Sequence, residues 1–193
     1  MKKGVFSLAM ALVFGAGNAN EPVADEKKEV KTDASTVTWK AYKVTGSHTG
    51  NLQLKQGSLM FNGEKLTGGE FTVDMSTLDS TDLADDLENK GKLEGHLNSE
   101  DFFYTEEHAT SKLVFTKVKS TGKNSYEVTG DLTIKDITKP VVFDVSVYGS
   151  KATATVKVDR TNYDIKYGSG NFFENLGDKT IYDEFDLVVD LEF

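Results

Sequence analysis

Apolar and polar positions alternate over most of the chain from Val37 onward. The last segment shows this most plainly: Phe185, Leu187, Val189, Leu191 and Phe193 are interleaved with Asp186, Val188, Asp190 and Glu192. Successive side chains of a strand point to opposite faces, so such a segment has one apolar and one wet face. The same rhythm runs through Val37–Tyr42, Phe71–Met75, Leu113–Phe115 and Val141–Val147. Gly46 and Gly50 read as the brackets of a turn, and Leu52–Phe61 as a second strand with a bend or bulge at Gly57. Asn62-Gly63 reads as a hairpin turn, and Gly68-Gly69 as the opening of a strand Glu70–Met75. Further strands are predicted at Ser111–Val118, Tyr126–Ile134, Val141–Tyr148 (starting behind Pro140) and Lys151–Val158. A loop is predicted at Tyr167–Gly177, ahead of the final strand. Between Asp79 and Phe103 the alternation stops. Leu83 and Leu87 have the spacing of one helix face, while Gly91 and Gly95 argue against one long helix. One or two short helices in a long connection are predicted there, lying across an open end of the sheet. About eight one-sided strands make an all-β protein whose antiparallel sheet must fold over itself, as a barrel or a sandwich. Eight strands suit a closed barrel with a small cavity.

The first residues follow a different pattern. Lys2 and Lys3 precede the apolar run Val5–Phe14, and Gly17 and Ala19 are small residues at the spacing of a cleavage site. This matches a signal peptide over residues 1–19, with a run too short to span a bilayer. Residues 20–34, rich in Glu, Lys and Asp, read as a flexible linker, and residues 35–193 as the folded domain. The expected location is therefore periplasmic or secreted, with no stable membrane insertion once the signal is removed. The sequence has no cysteine, which excludes a lipoprotein anchor and disulfides. A single hydrophobic core has to supply the stability. The formal net charge is -9, and loss of residues 1–19, with their two lysines and no acid, takes it to -11. That charge argues against nucleic acid and anionic membrane surfaces as partners.

Motifs for catalysis are missing. His48, His96 and His108 are far apart and form no metal-ligand spacing. Asp79, Asp82, Asp85, Asp86 and Glu88 lack the calcium-loop pattern. There is no Gly-x-Ser-x-Gly elbow, phosphate loop or dinucleotide fingerprint. No catalytic residue and no metal site is expected; an enzyme would need His96, Asp101 and Arg160 to meet in space. His96 is expected to make a structural hydrogen bond within the long connection. The aromatic load carries more information, with twelve phenylalanines and seven tyrosines. Phe102-Phe103-Tyr104 and Phe172-Phe173 fall in connections, where aromatics either plug a barrel end or line its entrance.

Several segments, in order, resemble one family. Thr38-Trp39-Lys40 with Thr49-Gly50, the run Gly95-His96-Leu97-Asn98-Ser99-Glu100-Asp101-Phe102-Phe103, the run from Val128 through Gly130-Asp131-Leu132-Thr133 to Thr138-Lys139-Pro140-Val141, Asp159-Arg160-Thr161-Asn162-Tyr163, and Leu176-Gly177-Asp178 resemble the YceI-like, or polyisoprenoid-binding, proteins. The chain departs from that pattern at Glu94-Gly95, where many members carry an arginine and an aspartate before the histidine, and at Glu107-His108-Ala109, where they carry Tyr-Pro. The resemblance implies an extended lipocalin-like fold: an eight-stranded antiparallel barrel with short helices and a long apolar cavity. It also implies a bound isoprenoid quinone or polyprenyl lipid as ligand, and no other cofactor. Trp39, Phe71, Phe115, Phe143 and Phe185 are the candidate cavity residues, with His96, Phe102 and Phe103 at the mouth. The function expected is that of a non-enzymatic binding protein for a long isoprenoid-type lipid. The alternative is a stress-response or protein-interaction module whose barrel is filled by side chains. The oligomeric state, including a homodimer through an edge strand, stays open.

Overall fold

The computed structural model describes residues 25–193; the expected signal peptide and the first part of the expected linker lie outside them. Among the described residues there are nine strands, one α-helix and three short 3-10 turns; the strands and helix are β1 Glu26–Glu29, β2 Thr36–Lys43, β3 Gly46–Asn62, β4 Lys65–Ser80, α1 Leu87–Asn98, β5 Thr110–Ser120, β6 Ser125–Ile134, β7 Ile137–Tyr148, β8 Lys151–Asp159 and β9 Ile181–Glu192. Strands β2 to β9 form an up-and-down antiparallel meander in which each strand pairs with the next. The first and last strands of the meander close the barrel through Val37↔Val189, Trp39↔Leu187 and Ala41↔Phe185. This is the eight-stranded antiparallel barrel that the resemblance implies and the strand count suits, where alternation alone left barrel and sandwich open; closure pairs the first strand of the meander with the last.

The extra strand corrects the linker reading. Glu26–Glu29 pairs with Ser58–Phe61 of β3, which runs on beyond the end of β2. Its Glu-Lys composition marks an exposed strand covering an otherwise free edge. Lys28 lies 5.1 Å from the centre of the Phe61 ring.

Three further boundaries differ from expectation. Gly46 and Gly50 are both inside β3, and the chain reverses at Val44-Thr45. Gly50 is needed for close approach: a Cβ there would fall 2.7 Å from the Trp39 ring and 1.8 Å from the Asp79 carbonyl. Strand β7 begins before Pro140, at Ile137, after a tight reversal in which Lys135 and Asp136 take φ of 51° and 59°. Counted from the closing pair Ile134↔Ile137, the pair Asp131↔Pro140 falls at a non-hydrogen-bonded site, where a missing N–H is tolerated. Helix α1 is one 12-residue helix that runs through Gly91 and Gly95. Asp86 caps it by accepting from the Asn89 N–H at 3.1 Å, which satisfies one of the free donors of its first turn. Leu83 lies outside the helix and Leu87 is 76% exposed, so the expected Leu83/Leu87 face does not form.

Candidate functional site: an apolar cavity inside the barrel

The inward residues of the strands surround a cavity of about 160 Å³. Its wall residues are aliphatic, aromatic or methionine except Ser111, Lys112, Thr153 and Arg160. Period-two alternation produces this wall: Phe71, Val73 and Met75 from β4 and Phe185, Leu187, Val189 and Leu191 from β9 all line it. A band of rings crosses the interior, with Phe71 and Phe115 5.6 Å apart and Phe115 and Phe143 5.7 Å apart between centroids. Glycines on the strands give these rings room. A Cβ on Gly69 would meet Phe115 at 2.9 Å, and one on Gly57 would meet Phe71 at 2.7 Å.

One end of the barrel is shut by side chains alone. There Phe61 and Phe193 pack at 5.5 Å, and buried Leu66 and Tyr126 lie beside them. The other end is covered by α1, the turn segment between α1 and β5, and the connection between β8 and β9. Leu97, Phe102, Phe103 and Arg160 from this cover reach the cavity wall. Phe103 stands edge-on to Phe185 at 6.4 Å. Helix α1 has no buried residue. Polar ties hold it to β4: Glu94 accepts from the Ser80 N–H at 2.7 Å, and Lys90 pairs with Asp79.

Arg160 is 4% exposed and fixes the cover from below. Its Nε donates to the Tyr182 carbonyl at 3.1 Å, Nη1 to Ile165 at 2.7 Å and Nη2 to Ile181 at 3.0 Å, with the Asp183 carboxylate at 3.5 Å. Burial pushes its guanidinium down from the usual arginine range, against the opposing pull of Asp183 and Asp159. The guanidinium also lies 5.9 Å from the centre of the Phe102 ring. Next to it, Tyr163 is 1% exposed, and burial, with the charge of Asp159 adding to it, pushes its hydroxyl up to about 12.

The candidates read from the sequence fall as follows. Trp39, Phe71, Phe115, Phe143 and Phe185 all stand on the cavity wall, as do Phe102 and Phe103 at its covered end. His96 lies one layer outside. It packs edge-on against Phe102 at 4.8 Å and Tyr167 at 4.5 Å. Its Nε2 is 3.6 Å from the Asp101 carboxylate, too far for the expected hydrogen bond. His96 and Arg160 flank Phe102 from different elements, and the Arg160 donors described above point to carbonyl oxygens. Phe172 and Phe173 are about half exposed and neither plugs nor lines the cavity. The wall residues missed at the sequence level include Leu97, brought in by α1, Ile181, at the very start of β9, and Leu78, whose strand was read short.

The barrel and its covered cavity can now be compared with known proteins. The profile of the YceI-like domain matches residues 29–193. The chain belongs to the YceI-like family. A UPF0312 protein of Pseudomonas putida (strain W619) is 31% identical over 156 residues, covering 77% of this chain and 74% of that protein. One from Pseudomonas fluorescens (strain SBW25) is 30% identical over 151 residues, with the same coverage. Among solved structures, BcnA of Burkholderia cenocepacia superposes with a TM-score of 0.61 at 19% identity, covering 84% of this chain and 98% of that one. A polyisoprenoid-binding domain from Saccharophagus degradans superposes with a TM-score of 0.56 at 12% identity, covering 85% and 97%. At these identities the superpositions establish a shared fold.

Proposed function

We propose that this YceI-like chain is a non-enzymatic carrier or sequestering protein that holds a long isoprenoid-type lipid in its barrel, outside the cytoplasmic membrane once a signal peptide is removed. The observation that carries this reading is the closed barrel with an apolar cavity, shut at one end by packed rings and covered at the other by a loosely buried helix. The polyisoprenoid-binding domain of Saccharophagus degradans, which shares the fold, supports the choice of lipid.

The energetics suit such a guest. Burial of one CH2 is worth ~0.8 kcal/mol, so a five-carbon isoprene unit contributes up to ~4 kcal/mol before ordering losses. Size sets the condition. A free volume of about 160 Å³ matches the ~150 Å³ apolar cavity that stays dry and accepts benzene. A longer tail enters when Phe102, Phe103 and α1 move off the covered end. The test is a calorimetric series of prenyl probes with one to four isoprene units. We expect Kd to fall by at least about tenfold per added unit until the interior is full; affinity independent of length, or no binding at any length, contradicts the proposal.

The modest free volume also favours the second reading, a barrel packed by its own side chains that meets another protein. The same series separates the two, because a packed barrel takes up no probe.

A further inference from the structure

The Phe172-Phe173 pair takes no part in the cavity. Of the phenylalanines among the described residues, only these two are exposed, at 51% and 50%. The backbone holds them there. Ser169 is fully buried, and its carbonyl oxygen accepts the N–H of Phe172 at 3.2 Å and of Phe173 at 3.0 Å. Its hydroxyl accepts from the Asn171 N–H at 3.2 Å. The Asn171 side-chain amide donates to Asp183 at 2.6 Å, the same carboxylate that faces Arg160. The Ile181 N–H donates to the Gly168 carbonyl at 2.8 Å and closes the turn onto the start of β9. The turn is thus fastened to the buried arginine that fixes the cover. Tyr167 of this turn is nearly half exposed, and its ring stands 5.7 Å from that of Phe102 on the cavity wall. Val44, half exposed at the β2–β3 reversal, is joined to the same connection, its N–H donating to the Thr180 carbonyl at 3.1 Å.

Aromatic rings held in water by a hydrogen-bonded turn mark an interaction surface. Charge narrows the partner. Residues 165–180 carry Lys166 and Lys179 against Glu174 and Asp178, so this connection is neutral in a chain of net charge -9. An acidic protein is repelled by an anionic surface. A neutral aromatic patch suits the interface of an uncharged bilayer, where rings settle at the level of the head groups. Position favours a bilayer over a protein. The patch leads through Tyr167 to Phe102, the ring that covers the cavity, and a cargo as apolar as a prenyl lipid is stored in membranes. Resting on the lipid-binding reading, we infer that the covered end of the barrel docks on an uncharged bilayer surface, with Phe172 and Phe173 entering the interface and Tyr167 and Val44 at the rim of the contact. Docked in this way, the cover opens towards the lipid, and the guest passes between bilayer and barrel without crossing water.

The test is vesicle flotation with the chain lacking residues 1–19, which keeps the whole described barrel and loses the apolar run Val5–Phe14. One vesicle is pure phosphatidylcholine, and the other is phosphatidylcholine and phosphatidylglycerol in equal parts. Binding to pure phosphatidylcholine is expected, unchanged by salt and no stronger with the anionic lipid. The double variant Phe172→Ser/Phe173→Ser is expected to lower partitioning at least about tenfold. Val142→Ser, which removes an exposed apolar side chain from β7 on the barrel wall, is expected to leave it unchanged. Phe172→Trp is expected to give fluorescence quenched by brominated phosphatidylcholine, whereas the wild type, whose only tryptophan is the buried Trp39, stays bright. Should the double variant fail to fold, the quenching decides. No binding to phosphatidylcholine assigns the patch to a protein partner and overturns the docking, as does binding to the anionic vesicles alone. A double variant that floats like the wild type, an equal loss in Val142→Ser, or an unquenched Phe172→Trp also overturns it. The prenyl series in solution keeps the two readings apart. A chain that docks but takes up no prenyl probe supports the docking surface and overturns the carrier function; one that takes up the probes and never docks does the reverse.

Discussion

At the scale of single residues, the chain concentrates its unusual chemistry around the covered end of the barrel. Tyr163 is fully buried, its hydroxyl has no hydrogen-bond partner among the described residues, and its pKa is pushed up to about 12. An unfolded tyrosine ionises near 10. The folded state therefore binds the proton more tightly, so the stability linked to Tyr163 is fully present below about pH 10 and is lost as pH rises towards 12. The slope is up to about 1.4 kcal/mol per pH unit. Urea-unfolding midpoints of wild type and Tyr163→Phe should match near pH 8, because the lost hydroxyl has no bond to give up. They should diverge above pH 10, with the variant losing less; parallel alkaline limbs would contradict this. The wall aromatics were legible in the sequence, since alternation puts Phe71 with Met75 and Phe185 with Leu187 on one face. The Gly50 contact was not. A glycine admits a turn and a close approach equally, and only the Trp39 ring lying over it decides between them.

At the scale of elements, α1 is held only lightly by packing, with Leu97 as its contact to the core. It has no buried residue, and its ties are the Glu94 contact to the Ser80 N–H and the Lys90–Asp79 pair. A hydrogen bond to a charged group is worth about 1.5–3 kcal/mol. Glu94→Ala is therefore expected to raise hydrogen exchange across Leu87–Asn98 by about tenfold or more and to speed release of a bound prenyl probe, while the barrel strands keep their protection. Unchanged exchange in α1 would show that packing holds the helix after all. The sequence signalled this helix poorly. Its two glycines point into open space, and a helix that tolerates them at roughly 1 kcal/mol each looks like a loop when read residue by residue. The strand before it was read short for a related reason. Acids at Asp74 and Asp79 obscure an alternation that the register Gly50↔Ser80 makes plain.

At the scale of the whole molecule, the barrel was visible in the sequence and its closure was not. Eight alternating segments imply a sheet with one apolar face; that β2 meets β9 through Trp39↔Leu187 is a long-range pairing with no local signal. Strand β1 was hidden for the same reason, because its place depends on how far β3 extends beyond β2. The cavity is the consequence of closure. The most direct measurement is native mass spectrometry, with organic extraction, of protein purified from a host that makes isoprenoid quinones. We expect a one-to-one apolar adduct that is released by solvent and has the mass of a prenyl lipid. Protein that arrives empty and takes up nothing when quinone is added would contradict the carrier function.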